Sequence, residues 1–173
     1  MCIRDSSTPA PCRKFLKDAF TILMTGTEDE VIDYIEQCRK EFKSLPPSEI
    51  AFPRTVSNVE KWKSPSDMYL KGCPIHVRGA ILYNHYTKKR EIDHKYASIN
   101  NGEKIKFCYL KTPNWMHENV ISFIQDFPTE LDLDKHVDYD LQFSKSFIEP
   151  IKVILDCIGW ETERKNTLES FFS

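Results

Sequence analysis

Two pairs of aspartates have a spacing that can hold a divalent cation for nucleotide chemistry. They are Asp132 with Asp134 and Asp138 with Asp140, each pair separated by one residue. The same carboxylates stand in an acidic stretch just before a predicted helix, where negative charge interacts favourably with the helix dipole. This structural interpretation is the commoner one. A metal-dependent nucleotidyl-transfer or hydrolytic enzyme that uses Asp138 and Asp140 is kept as an alternative.

Other catalytic or metal-binding patterns are incomplete. Cys73 and His76 supply half of a zinc site, but no second pair stands at a suitable spacing. The six cysteines are scattered without a CxxC pair, which favours reduced thiols in a cytosolic protein. With five glycines the chain contains no phosphate-binding loop. The sequence therefore predicts no catalytic residue and no metal site in this chain.

Basic residues are concentrated in the middle of the chain. Residues 54–95 contain nine Lys and Arg against four Asp and Glu, whereas residues 112–163 contain three against eleven. Lys71, His76 and Arg78 stand beside Gly72 and Gly79, which leave space for a ligand backbone. This pattern suits phosphate groups and thus a nucleic acid. A solvated surface of mixed charge is about equally compatible with composition alone.

The elements that must position these residues follow from apolar periodicity. The pattern predicts an α+β fold that is mainly helical, with a small β segment. No apolar run approaches the roughly 18 residues of a membrane span, so no membrane partner is expected. The predicted elements are a helix from Cys12 to Gly26, a second from a Thr27–Glu30 capping box to Leu45, an edge strand or extended segment over 50–59 that contains Pro53, a helix after Pro74, strands over 104–109 and 120–124, and a long helix from Leu141 that is kinked or restarted at Pro150 and ends at Gly159.

Strand 104–109 alternates between apolar and basic residues. Ile105, Phe107 and Tyr109 would point one way, while Lys104 and Lys106 would point the other way. The two lysines are therefore expected to face solvent or a ligand.

The end of the chain carries a second partner signal. Leu168, Phe171 and Phe172 stand at i, i+3 and i+4, so one helical turn would present all three to a hydrophobic pocket on another protein. The competing interpretation is that they fold back onto the core of this domain. A non-enzymatic interaction adaptor with an apolar docking peptide is therefore an alternative function.

The stretch Lys71–Asn84 resembles a known family. It contains Cys-Pro-x-His-x-Arg-Gly followed by Leu-x-Tyr-Asn, and it is similar to the thumb region of family B DNA polymerases from myovirus-type bacteriophages. The resemblance extends over most of the chain. Residues 6–10 resemble the exit from the palm, 102–105 the β segment of the thumb, 147–151 its late helix and 167–172 the peptide that docks on the sliding clamp.

This resemblance implies a domain organisation. Residues 1–5 would be a leader foreign to the family, residues 6–160 the thumb, with 6–11 as the exit from the palm, and residues 161–173 a flexible clamp-binding tail. It also implies contacts with the backbone of primer-template DNA and with the clamp. The DNA contacts would be Lys71, His76, Arg78, Lys104 and Lys145, and the clamp contacts Leu168, Phe171 and Phe172.

The resemblance also implies where catalysis would occur. The parent would be a DNA-directed DNA polymerase, a nucleotidyltransferase whose palm aspartates bind magnesium ions. The palm and exonuclease motifs of the family are absent from this sequence. The fragment alone is therefore expected to be catalytically inactive and to need no cofactor. Its partners would be primer-template DNA, the clamp and the palm domain, in the cytoplasm of an infected bacterial host.

Overall fold

The structure is a computed structural model, which describes residues 7–165 of the chain. The mainly helical α+β class predicted from the sequence is confirmed. No helix in this range is long and apolar enough to cross a membrane. The elements are α1 (Ala10–Thr25), α2 (Glu28–Ser44), α3 (Pro47–Ile50), β1 (Phe52–Thr55), α4 (Val59–Trp62), α5 (Ile75–Lys89), β2 (Lys104–Tyr109), β3 (Val120–Phe123), two 3₁₀ turns (Thr129–Leu131 and Asp134–His136), α6 (Tyr139–Phe143), a π turn (Ser144–Ile148) and α7 (Glu149–Ile158).

The three strands form one antiparallel sheet in the order β1-β2-β3. Phe52 of β1 lies opposite Phe107 of β2, and Ser122 of β3 lies opposite Phe107 on the other side. β1 is an edge strand, as Pro53 predicts, because proline cannot donate a hydrogen bond to a second neighbour. Residues 120–123 form a strand and not a helix, which confirms the preferred prediction.

The helical part joins the beginning of the chain to its end. Thr27 and Glu30 form the predicted capping box at the start of α2. The Phe15 ring of α1 meets Phe147 of the π turn edge to face at 6.1 Å, and Phe42 of α2 packs against Phe143 at 5.2 Å. The predicted late helix therefore packs on the first two helices. Its break before Pro150 is a π turn followed by α7.

Helix α5 crosses the sheet at very short range. A Cβ atom at Gly79 would lie 2.3 Å from Ser122 Oγ and 2.8 Å from Ser122 N. The Ser122 hydroxyl donates a hydrogen bond to the carbonyl of His76 at 2.9 Å. Glycine at position 79 is therefore a packing requirement, since any side chain would push the helix off β3.

The exposure expected for the lysines of β2 is wrong for one of them. Lys104 is exposed, but Lys106 is half-buried and its Nζ donates to the carbonyl of Ser48 at 2.9 Å. Cys108, on the same face of the strand, is fully buried. The cause is α3, whose Pro47 and Ser48 carbonyls contact Cys108 and Lys106 on this face of β2.

We expect Gly79→Ala to destabilise the fold by about 2 kcal/mol, because the added methyl group overlaps the backbone of β3. In a helix with open space at this position the same change would stabilise the protein by about 1 kcal/mol. A loss of stability would therefore identify the contact between Gly79 and β3. Urea unfolding followed by circular dichroism measures the difference. Lys88→Ala, at an exposed position of α5, is the matched control and should be nearly neutral. A Gly79→Ala protein as stable as the wild type would contradict this packing.

Candidate nucleic-acid interface

The beginning of α5 is the centre of the candidate interface. The chain turns at Lys71 and Gly72, where Gly72 has φ +84°, a conformation that favours glycine. Pro74 then stands at the N-cap position of α5, without a side-chain capping hydrogen bond. The first N–H groups of any α-helix lack intrahelical partners and give its N-terminus a partial positive charge. Lys71 is exposed beside this end of α5, so both charges favour an anion here.

A basic patch, defined as Arg54, His76 and Lys145, lies on one face of the sheet. The Arg54 guanidinium is 6.0 Å from the centre of the Phe107 ring, and Lys145 Nζ is 5.6 Å from that of Tyr109. The His76 ring lies 6.4 Å from Phe107. All three side chains therefore rest on a row of aromatic rings, where cation–π attraction orders Arg54 and Lys145.

His76 contributes little charge to this patch at neutral pH. Burial lowers the pKa of His76 below its usual value, and the nearby Arg54 cation lowers it further. The imidazole is therefore mostly neutral at pH 7 and offers one N–H donor. The positive charge of the basic patch comes from Arg54 and Lys145.

Arg78 is turned into the protein. Its Nη2 donates to the side-chain carbonyl of Asn119, and its Nε lies 3.9 Å from a carboxylate oxygen of Glu118. The Tyr69 hydroxyl donates to the other oxygen of Glu118 at 2.6 Å, and the Arg78 guanidinium lies 5.6 Å from the centre of the Tyr69 ring. Since the Arg78 side chain is only 22% exposed, its evident role is to join the start of α5 to the segment before β3.

The five residues predicted to bind DNA do not form one surface. Lys71 and Arg78 lie on one side of the start of α5, and His76 and Lys145 lie on the sheet face. Lys104 is opposite Thr55 in the register and points to the other face of the sheet. It is also separated from Tyr109, under Lys145, by the length of β2, roughly 17 Å. DNA contact by each of the five residues stays a prediction.

Arg54 is a basic residue that the sequence reasoning did not select. It lies opposite Ile105 in the register, so it shares a face with Phe107 and His76. The Arg54 Nη1 donates to the carbonyl of Ser7 at 3.1 Å. The spacing of two residues between Phe52 and Arg54 in a strand places them on the same face, but the register was needed to place Arg54 beside His76.

Asp138 and Asp140 each have a structural partner. The Asp138 side chain accepts a hydrogen bond from the backbone N–H of Leu141 at 3.1 Å, which caps α6. Asp140 pairs with Lys43 at 3.0 Å, and this cation lowers the pKa of Asp140. Among residues 7–165, no group of three or more His, Cys, Asp or Glu side chains is placed to hold a metal ion.

The beginning of the predicted tail lies against α2. The backbone N–H of Glu161 donates to the Glu28 carboxylate at 2.8 Å, and Arg164 pairs with Asp33 at 2.7 Å. The predicted clamp contacts Leu168, Phe171 and Phe172 lie outside the described residues, as does the predicted leader over residues 1–5.

This chain is similar in sequence to part of a DNA-directed DNA polymerase. No protein-family model matches it. It is 25% identical to the DNA-directed DNA polymerase of Enterobacteria phage T4, across 98% of this chain and 19% of the phage protein. It is 27% identical to the DNA-directed DNA polymerase of Escherichia phage RB69, across 96% of this chain and 18% of that protein. The chain thus spans about a fifth of the length of these curated relatives, and the resemblance to a phage DNA polymerase is confirmed.

We expect Arg78→Ala to lower the free energy of unfolding by about 2 kcal/mol, because it leaves Glu118 without its cation and opens the link to Asn119. Lys71→Ala removes the same charge from an exposed side chain and should change stability by less than about 0.5 kcal/mol. Urea denaturation of both variants measures the contrast. Equal stability of the two would show that the Arg78 contacts contribute little to the fold.

Proposed function

We propose that this chain is the thumb of a phage family B DNA-directed DNA polymerase, and that it holds primer-template DNA by its phosphate backbone. In this proposal it acts in the cytoplasm of an infected bacterium. Polymerisation, and the magnesium ions that it uses, belong to other parts of a longer polypeptide. The chain alone would bind DNA without extending it.

One observation carries the proposal. Nearly the whole chain corresponds to about a fifth of two phage DNA polymerases. The Lys71–Arg78 stretch that suggested a thumb contains the turn before α5 and the first residues of that helix. This position supports a backbone contact, because helix N-termini and lysines bind phosphate without reading bases.

The arrangement of charge supports a backbone contact from two sides of α5. Lys71 is exposed on one side, and Arg54 and Lys145 of the basic patch lie on the other. Neutral His76 can add one hydrogen bond. Arg78 would act mainly by fixing the start of α5, because its guanidinium already contacts Glu118 and Asn119. Lys104, on the opposite sheet face, would reach DNA only around the sheet edge.

We expect duplex DNA to bind in a sequence-independent manner, with affinity falling as salt rises. Each lysine that contacts a phosphate contributes about 0.9 to the slope of log K against log salt. Lys71→Ala and Lys145→Ala should each reduce that slope by about this amount, measured by fluorescence anisotropy over a salt series.

The control for this measurement is Lys40→Ala, which removes an exposed lysine of α2 and should leave the slope unchanged. Arg78→Ala is unsuitable, since it perturbs the fold. Wild-type slopes in both lysine variants would contradict the proposed contact of these lysines with the DNA backbone, which we call the grip. A protein with no measurable duplex affinity would favour the adaptor alternative.

We also propose that the end of the chain docks on the sliding clamp through Leu168, Phe171 and Phe172. The double change Phe171→Ala and Phe172→Ala should weaken clamp binding by the full chain about tenfold or more, since buried aromatic anchors dominate such interfaces. Surface plasmon resonance with the immobilised phage clamp measures this loss. Glu169→Ala, within the same peptide, is the control. Clamp binding unaffected by the double change would exclude this docking mode.

A further inference from the structure

A cavity of about 500 Å³ opens beside Lys71, and the proposed DNA contacts use no other side chain that lines it. It lies between the segment before α5, the outer side of α5 and the loop before β3. Its volume is within the range of small-ligand sites. We call it the Lys71 cavity. The side chains that line it are mainly Met68, Tyr69, Lys71, Tyr86, Met116 and Glu118.

The walls of the Lys71 cavity are aromatic and sulfur-containing. Tyr69 and Tyr86 contribute rings, while Met68 and Met116 contribute polarisable thioethers. Such groups pack well against flat π systems. A flat aromatic ligand therefore fits this lining better than a sugar or a bare ion.

Lys71 is the lining residue of the Lys71 cavity that can pair with an anionic group on that ligand. Glu118 is engaged by the Tyr69 hydroxyl and by Arg78. Asp67 is exposed at the rim, where the Ser66 hydroxyl donates to it at 3.4 Å. Lys71 is the exposed cation at the opening. One cation is a weak site for phosphate alone, so the aromatic part must supply the remaining affinity.

The Lys71 cavity is already formed before any ligand arrives. Tyr69 is held by its hydrogen bond to Glu118. Tyr86 meets the Trp115 ring edge to face at 4.9 Å, and the Trp115 indole donates to the carbonyl of Leu131 at 2.8 Å. Met116 is 5% exposed. Binding would thus cost little ordering of side chains, which favours affinity.

We infer that the Lys71 cavity accepts one unpaired nucleotide, with the base among Tyr69, Tyr86 and the two methionines and its phosphate at Lys71. This inference rests on the proposed function, because it takes DNA as the ligand. It adds a contact with a base, whereas the grip proposed above uses the backbone alone. Single-stranded nucleic acid is bound elsewhere by the same combination of aromatic surface and nearby cation.

The test compares two single strands that carry the same phosphates. We expect a short oligodeoxyadenylate to bind about tenfold more tightly than an abasic strand of equal length, because only the first can insert a base. Trp115 reports on the site, since its ring contacts Tyr86. The fluorescence of the protein should change when oligodeoxyadenylate binds but not when the abasic strand binds. This change should be absent in Trp115→Phe.

Two variants separate the Lys71 cavity from general charge. Met68→Trp fills it from a half-buried position and should abolish the preference for the base-bearing strand, while duplex affinity stays unchanged. Lys40→Ala on α2 should retain the preference. Should Met68→Trp fail to fold, the comparison of the two strands on the wild-type protein still tests whether a base is bound.

Equal affinity for the two strands, with duplex binding intact, would overturn the base site and leave the proposed grip standing. If the wild-type protein bound neither duplex nor single-stranded DNA, both the proposed function and the base site would be excluded. A Trp115 signal produced by a short peptide of leucine and glutamate, but not by the oligonucleotide, would overturn the inference by identifying a protein-docking cavity.

Discussion

The contact of Gly79 with Ser122 is the constraint on which the rest of the structure depends. Helix α5 can lie this close to β3 because position 79 has no side chain, and the hydrogen bond from Ser122 to the His76 carbonyl fixes the first turn of the helix. The first turn of α5 therefore has a set position on the sheet. The basic patch and the Lys71 cavity lie on opposite sides of that turn.

The basic residues of the 71–78 stretch serve two different needs. Lys71 stays at the surface, whereas the Arg78 guanidinium joins α5 to Glu118 and Asn119 and leaves its buried Nε without a hydrogen-bond partner among residues 7–165. Glu118 is in turn held by Tyr69. A single ion-pair network thus supports the helix start, the loop before β3 and one wall of the Lys71 cavity. Residues close in sequence can therefore be required for different reasons.

Local patterns in the sequence predicted the elements well. The capping box at Thr27, the stripe of α2 and Pro53 in an edge strand each depend on interactions within a few residues. The segments that cover each face of the sheet and of α5 could not be predicted in the same way. Lys106 alternates correctly along β2, yet its partner is the carbonyl of Ser48 in a helix 58 residues away. The inward turn of Arg78 likewise depends on Asn119, which lies 41 residues further along the chain.

The meeting of the first and last helical segments has a consequence for synthesis. The Cys12 thiol in α1 contacts the Ser146 hydroxyl at 3.2 Å, across 134 residues of sequence, and Phe15 packs on Phe147. A ribosome adds roughly 5–20 residues per second. At this rate the 134 residues from Cys12 to Ser146 take about 7 to 27 seconds to synthesise, so the apolar side of α1 stays uncovered for that time.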